Sequence, residues 1–571
     1  MLKEKLHIAV DKDQFFFIKQ NIIGEFTKIV TLNFKSRLTR NFNESLEFSL
    51  KKYEFFGIIG IISLDSGDHL ILTVKRENVG HIKSNSVFRI DDILILPFNE
   101  LADIILARYT NNVELKETTK VSNVEVKSKP VNDQLNSKFD AILKKNNVVK
   151  IVSEKERSNH FGATPTKKTV ISTLTEVSSA VNLGIKKSFG YNLTECKISK
   201  PNFSKDSSFT LMQNAISLTS KKVTDTTKRV IGDENDGENF EELLIKEITR
   251  LLTSGLYFYS KEIDLTNSFQ RQSTFSDKQN LFLNLDKRFF WNEHLLDTFI
   301  KQNVEDFIIP IINGFVQIES LQIKGLAFDF VLISRRSRDR SGLRYERRGT
   351  DEEGNCANYV ETEELIFYQN HVACFSQIRG SIPVLFHQSA QSLKPIPIID
   401  GNDDDSERAL LSHFARQTNL YNKVICVNLV HQQDNRESIV GSKFKSIIEK
   451  LNIPQVQYNE FDFHEHCKSF NYENLSILLN IIEGDLNEQK YFWSENDVVF
   501  SKQEGIFRTN CMDCLDRTNV VQSLIARTTL KKILFKLGIQ SPDCAEDENL
   551  ENIFKTIWAN NGLSNLVPFF N

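Results

Sequence analysis

The chain has 571 residues, 40% hydrophobic and 26% charged, with a formal net charge of −4. That length and apolar content support more than one core, and the near balance of charge excludes the global basic field of a dedicated nucleic-acid binder. Eight cysteines without a CxxC…CxxC or CxxC…HxxxH pattern argue against a disulfide framework or a structural zinc site, and no stretch approaches the roughly 18–20 consecutive apolar residues of a membrane-spanning helix. The first thirteen residues lack the apolar core of a signal peptide, so the expectation is a soluble, cytosolic chain with reduced thiols. The 43 phenylalanines, beside many Lys, Asn and Ile, read as a compositional bias of the source.

Residues 1–113 carry short β-type runs, among them Phe15–Ile18, Phe55–Ile62 and His69–Val74, separated by turn-formers such as Asp65-Ser66-Gly67-Asp68. They predict a β-rich first domain. Residues 114–237 are rich in Lys, Ser, Thr, Asn and Val without sustained period, which predicts a disordered polar insertion. From 238 to 571, amphipathic stretches such as Phe240–Leu252 alternate with buried-strand candidates such as Phe328–Ile333 and Val424–Val430, the pattern of an α/β catalytic domain.

Arg335, Arg336, Arg338, Arg340, Arg344, Arg347 and Arg348 form the densest basic run. Five of them, Arg335, Arg336, Arg344, Arg347 and Arg348, are candidate contacts for an anionic headgroup or membrane surface. The alternative is a solvated strand and turn paired with Asp339, Glu346 and Asp351. His464, His466 and Cys467 are metal-capable types, but they lack a second partner cluster, so packing is the expected role and no metal or other cofactor is assigned.

The segment from Glu504 to Val520 reads as strand, loop and helix, continuing through Val521, Leu524, Ile525, Ile533, Leu534 and Leu537 at helical spacing to a stop at Gly538. A loop of this kind aims backbone N–H groups and a helix N-terminus at a phosphate, and the same field favours a thiolate at Cys511. Arg517, six residues on, has the fork to hold two phosphoryl oxygens. Thr518 is placed to bond the sulfur or cap the helix. Asp513 and Asp516 are both candidates to protonate a leaving oxygen; the alternative for each is to orient Arg517 or the loop amides. A buried structural cysteine is the competing reading of Cys511.

The run from Arg508 to Asn519 (RTNCMDCLDRTN) resembles the signature of the Sac-domain phosphoinositide phosphatases along its full length. The likeness extends through Gly255–Phe258, Asp264–Thr266, Phe269–Arg271, Arg288–Asn292, Ser334–Ser337, Arg344-Tyr345, Arg347–Gly349, Asn358, Glu361–Glu363, Arg379–Pro383 and Phe461–His464. Within that family the chain most resembles the endoplasmic-reticulum and Golgi enzymes that act on phosphatidylinositol 4-phosphate. The resemblance implies a β-rich N-terminal Sac subdomain before an α/β catalytic subdomain with a Cys-x5-Arg phosphate loop. It also implies a metal-independent reaction with Cys511 as nucleophile and Arg517 as clamp, on a phosphoinositide in an anionic membrane.

Two departures accompany it: His466 stands where the family pattern has Glu, and Trp558-Ala559-Asn560-Asn561 resembles the start of a block that the last ten residues do not continue, as in a truncated product. The location implied is cytosolic, or peripheral at the cytoplasmic face of endoplasmic-reticulum and Golgi membranes. Three functions stay open: a lipid phosphatase, a protein-tyrosine-type phosphatase with the same loop chemistry, and a silent phosphoinositide-binding scaffold. The extended blocks favour the first.

Overall fold

Alternation of side chains along the first strands builds two cores at once. Strands β1 (Lys5–Asp11), β2 (Gln14–Gln20), β3 (Phe26–Asn33), β4 (Thr39–Phe42) and β5 (Tyr53–Phe55) form an antiparallel sheet in the order β4-β3-β2-β1-β5. With a period of two, Phe15 and Phe17 face one core with Phe34, Phe55, Phe299 and Phe307, while Phe16 and Ile18 face a smaller one with Ala9 and Ile29. Part of the phenylalanine content therefore has a structural use; the Phe17 ring lies 6.2 Å from Phe299 and 5.9 Å from Phe307.

The computed structural model describes residues 4–21, 23, 25–42, 50–121, 240–276, 281–342, 347–389, 396–434, 436–468, 472–512, 516–540 and 547–566. Of the expected insertion, 114–237, residues 122–237 lie outside them. All described residues belong to one compact unit, drawn from chain on both sides of 124–207.

A second sheet of 13 strands joins what the sequence divides. It begins with β6 (Gly57–Leu64), β7 (Gly67–Ile82) and β8 (Asn85–Pro97), which precede helix α1 (Leu101–Val121). After α2 (Phe240–Leu252) it continues through β9 (Tyr257–Tyr259). Next come α3 (Glu293–Lys301), β10 (Ile311–Ile323), β11 (Leu326–Arg336), β12 (Val360–Tyr368) and β13 (His371–Gly380). The β-rich N-terminal part is thus not a separate sheet set against the catalytic part, because β8 pairs with β9 and carries the ladder across. Helix α1 also extends the described structure beyond 113, to Val121.

Beyond β13 the pairing turns parallel. A two-residue ladder, β14 (Phe386–His387) with β15 (Ile398–Ile399), precedes α4 (Asp403–Tyr421). Then follow β16 (Lys423–Asn428), α5 (Glu437–Leu451), β17 (Val456–Glu460) and α6 (Leu475–Gln489). The hairpin β18 (Phe492–Glu495) and β19 (Val498–Ser501) leads to β20 (Gly505–Asn510), α7 (Asp516–Lys536) and α8 (Glu548–Leu566). The order β17-β16-β20-β13 is parallel throughout. Strand β20 is buried along its whole length, as a central parallel strand must be. Its carboxyl end lies on the same edge of the sheet as those of β16, β17 and β13, the edge at which α/β sheets usually bind ligands.

Helix α7 buries Val521, Ile525, Ile533 and Leu534, four of the six positions marked by helical spacing. Gly538, at φ +71°, ends it, and the Ile539 N–H returns to Leu534 O at 2.9 Å. No helix among the described residues is long and apolar enough to cross a membrane.

Candidate active site

Cys511 is the first residue beyond β20 and is buried. Helix α7 begins at Asp516, so the N-terminus of a 21-residue helix follows the cysteine within a few residues. Asp516 is exposed at that start and Thr518, two residues on, is buried; Asp513, like Arg344, lies outside the described residues. The lead-in is held from the side: the Leu429 N–H donates to Asn510 O at 3.0 Å, and Arg348 Nη1 donates to Met512 O at 2.5 Å.

Arg348 reaches that carbonyl because its own segment is pinned. The Gly349 N–H donates to Ser381 Oγ at 2.9 Å, and Gly349 sits at φ +62° with Val384 O only 2.3 Å from where a Cβ would stand. Ser381 O in turn accepts from Arg508 Nη2 at 2.9 Å. Arg508 is fully buried, and its other recorded acceptors are neutral: His413 Nε2 at 3.1 Å, Cys356 Sγ at 3.3 Å and the Asn510 amide oxygen. His413 donates from Nδ1 to Gly354 O at 2.9 Å, and burial, then the Arg508 charge, lower its pKa, so the ring is a neutral acceptor. A buried positive charge is thus fixed three residues before Cys511.

The other arginines divide by strand alternation. Arg335 pairs across the ladder with Glu361, and Arg336 with Val360, which puts their side chains on opposite faces. Arg335 is fully buried against Glu361 Oε1 (3.2 Å), Glu363 Oε2 (2.6 Å) and the carbonyls of Leu265 and Asn267. It belongs to an ion-pair network inside the sheet, which corrects the expectation that it faces a headgroup. Arg336 lies in the row Arg336, Val360, Arg379, Thr509, which crosses four strands and ends two residues before Cys511. Arg379, on the same face, is buried, and its place in this row makes it a candidate that the sequence singles out only as part of the family-like stretch Arg379–Pro383. Arg347 is half-buried and packs over Gly342.

Arg517 is turned toward the β16–α5 connection. Its Nη1 and Nη2 donate to Glu437 Oε2 and Oε1 at 2.8 and 2.7 Å, and Nη1 approaches Leu429 O at 3.4 Å. Burial works to raise the Glu437 carboxyl, but the hydrogen bonds and charge of Arg517 outweigh it and hold Glu437 below its ordinary value. The His431 N–H also donates to Glu437, at 2.8 Å, and the His431 ring bonds Asp462 through Nδ1 at 2.9 Å. His464 lies 5.4 Å from the His431 ring, and burial, then the Arg517 charge, lower its pKa. His466 stacks on Phe461 and Cys467 is buried; among the described residues no three His, Cys, Asp or Glu side chains form a group able to hold a metal.

Residues 56–468 match the family model described as the SacI homology domain. The chain belongs to that family. The matched stretch ends before Cys511, and it includes the SacI-domain strands that carry Arg336 and Arg379 and the segment of Arg348, Glu437 and Asp462. The chain is 38% identical over 404 residues to mouse "Phosphatidylinositide phosphatase SAC2", covering 66% of this chain and 35% of that protein. It is 36% identical over 336 residues to fruit-fly "Phosphatidylinositol-3-phosphatase SAC1", covering 57% of this chain and 56% of that protein. To Arabidopsis "Phosphoinositide phosphatase SAC7" it is 33% identical over 353 residues, covering 59% and 58%. The chain therefore spans about a third to three-fifths of the length of these relatives.

Proposed function

We propose that the chain is a phosphoinositide phosphatase that removes phosphate from phosphatidylinositol 4-phosphate through a phosphocysteine intermediate. The observation that carries this is the position of Cys511: it follows a central parallel strand, stands before the N-terminus of α7, and has buried arginines on both sides of the sheet around it. Such a field favours a thiolate and a phosphoryl group at one point. Membership of the SacI family and the phosphatase names of three relatives support the reading.

In this mechanism Cys511 Sγ attacks phosphorus, the P–O bond to the inositol breaks, and Asp513 or Asp516 gives the leaving oxygen its proton. Water then attacks the thiophosphate, the S–P bond breaks, and the deprotonated aspartate takes the water proton, returning thiolate and inorganic phosphate. Arg517 holds the phosphoryl oxygens, Thr518 bonds the sulfur, and Arg348 fixes the loop carbonyl beside them. Arg344 and Arg347 supply the cationic approach for a headgroup, and with it a peripheral, salt-sensitive hold on the cytoplasmic face of endoplasmic-reticulum or Golgi membranes, whereas Arg336, expected at that surface, is buried within the sheet.

Phosphate release from vesicles carrying each phosphoinositide monophosphate or bisphosphate tests the proposal. Turnover is expected on the 4-phosphate, insensitive to chelators and slower at high salt, and lost in Cys511→Ser with the fold retained. Turnover that persists in Cys511→Ser sinks the nucleophile. Preference for the 3-phosphate, the position for which the fruit-fly relative is named, sinks the substrate assignment alone.

A further inference from the structure

A guanidinium has two different bidentate edges. One joins Nη1 and Nη2; the other joins Nε and Nη2. Glu437 takes the first, with both of its oxygens, at 2.8 and 2.7 Å. It does so from the first residue of α5, where its carboxylate also accepts the His431 N–H, so the acceptor is itself fixed at a helix N-terminus. The Leu429 carbonyl adds a third contact from the same connection, and Leu429 is bonded through its N–H to Asn510, the residue before Cys511. Side-chain exposure is 14% for Arg517 and 13% for Glu437. An ion pair this far from water adds little net stability, because desolvation offsets attraction; what it delivers is one defined orientation.

We infer that Glu437 is a positioning residue for phosphoryl transfer: it holds Arg517 by the Nη1–Nη2 edge and so fixes the orientation from which Arg517 clamps a phosphoryl group. This rests on the reading of Arg517 as the phosphate clamp. Glu437 acts only through Arg517, and the two residues stand 80 apart in sequence, on different helices.

The test is a double-mutant cycle in the Cys511→Ser protein, with tungstate as the phosphate mimic and calorimetry as the readout. Glu437→Gln and Arg517→Lys should each weaken tungstate binding by roughly tenfold, and the double variant should bind no more weakly than Arg517→Lys. Losses that multiply overturn the inference, since they mean that Glu437 works independently of Arg517. In the Cys511 enzyme, Glu437→Gln should lower kcat by roughly 10–100-fold with KM within about twofold, and Glu437→Asp should recover part of that loss. An unchanged kcat in Glu437→Gln overturns it equally. Should Glu437→Gln fail to fold, Glu437→Asp carries the test: reduced tungstate affinity supports the inference and unchanged affinity overturns it. If the Cys511→Ser protein binds no tungstate at all, the clamp reading falls and this inference with it, an outcome distinct from any failure confined to Glu437.

Discussion

Glu361 is fully buried and surrounded by cations: Arg271 holds it with both terminal nitrogens at 2.7 and 2.9 Å, Arg335 adds a bond at 3.2 Å, and Tyr421 donates to it as well. Burial would raise its pKa, but Arg271, Arg335 and Arg288 overcome this and push it from 4.5 down to about 2. Because the folded value is the lower one, the stabilisation is complete above the unfolded pKa and fades as pH falls from about 4.5 toward about 2. Glu361→Gln should cost about 3–5 kcal/mol at neutral pH, since it leaves buried arginines without their shared carboxylate, and should flatten the loss of stability on acidification. Urea unfolding from neutral pH down to about pH 3 measures both, and an unchanged acid slope rules Glu361 out as its source. Arg335 and Arg336 show what a linear reading misses here. The sequence presents seven arginines as one patch, whereas the two-residue period of β11 sends Arg335 into the Glu361 network and Arg336 to the face of Arg379. Cys511 and Arg517 can be named as candidates from the sequence because their spacing is local; the Arg517–Glu437 ion pair cannot, because nothing in a run of residues marks a partner 80 positions away.

Helix α7 follows Cys511 within a few residues, and its far end anchors it. Ile533 is fully buried with Leu530, Leu534 and Phe554, while Phe330 of β11 stacks on Phe554 at 6.1 Å. Ile533→Ala should therefore cost about 2–5 kcal/mol, by lost burial and the cavity left behind. Gly538→Ala should cost only about 1 kcal/mol, because a Cβ there meets no atom within 4 Å and the penalty is that of φ +71° alone. Chemical denaturation of the two variants should rank them in that order, and equal losses would show that the helix is not held from this end. Such an element is readable in advance because its signals lie within the helix: apolar positions at 3.6-residue spacing and a glycine stop. The same holds for α2, which spans the predicted Phe240–Leu252.

The single 13-stranded sheet was not readable in that way, since pairings such as Phe88 with Tyr259 join residues far apart along the chain and depend on no local motif. Its continuity also gathers cations that a net charge of −4 conceals: pairing across β11, β12, β13 and β20 brings Arg336 and Arg379 into one row toward Thr509. The pairing of β8 with β9 has a different consequence. These strands are neighbours in the sheet, yet the chain between them passes through α1, residues 122–239 and α2. Closing a loop costs entropy only as the logarithm of its length, about 0.6 kcal/mol for each doubling, so the register of the sheet is nearly indifferent to how much chain is spent on this detour. Replacing residues 124–237 by a short Gly/Ser linker that spans the same two ends should leave the melting temperature within a few degrees and phosphate release intact. A collapse of either would mean that the detour is part of the folding unit, and retention of both would make it a position where length can be added or removed without retuning the enzyme.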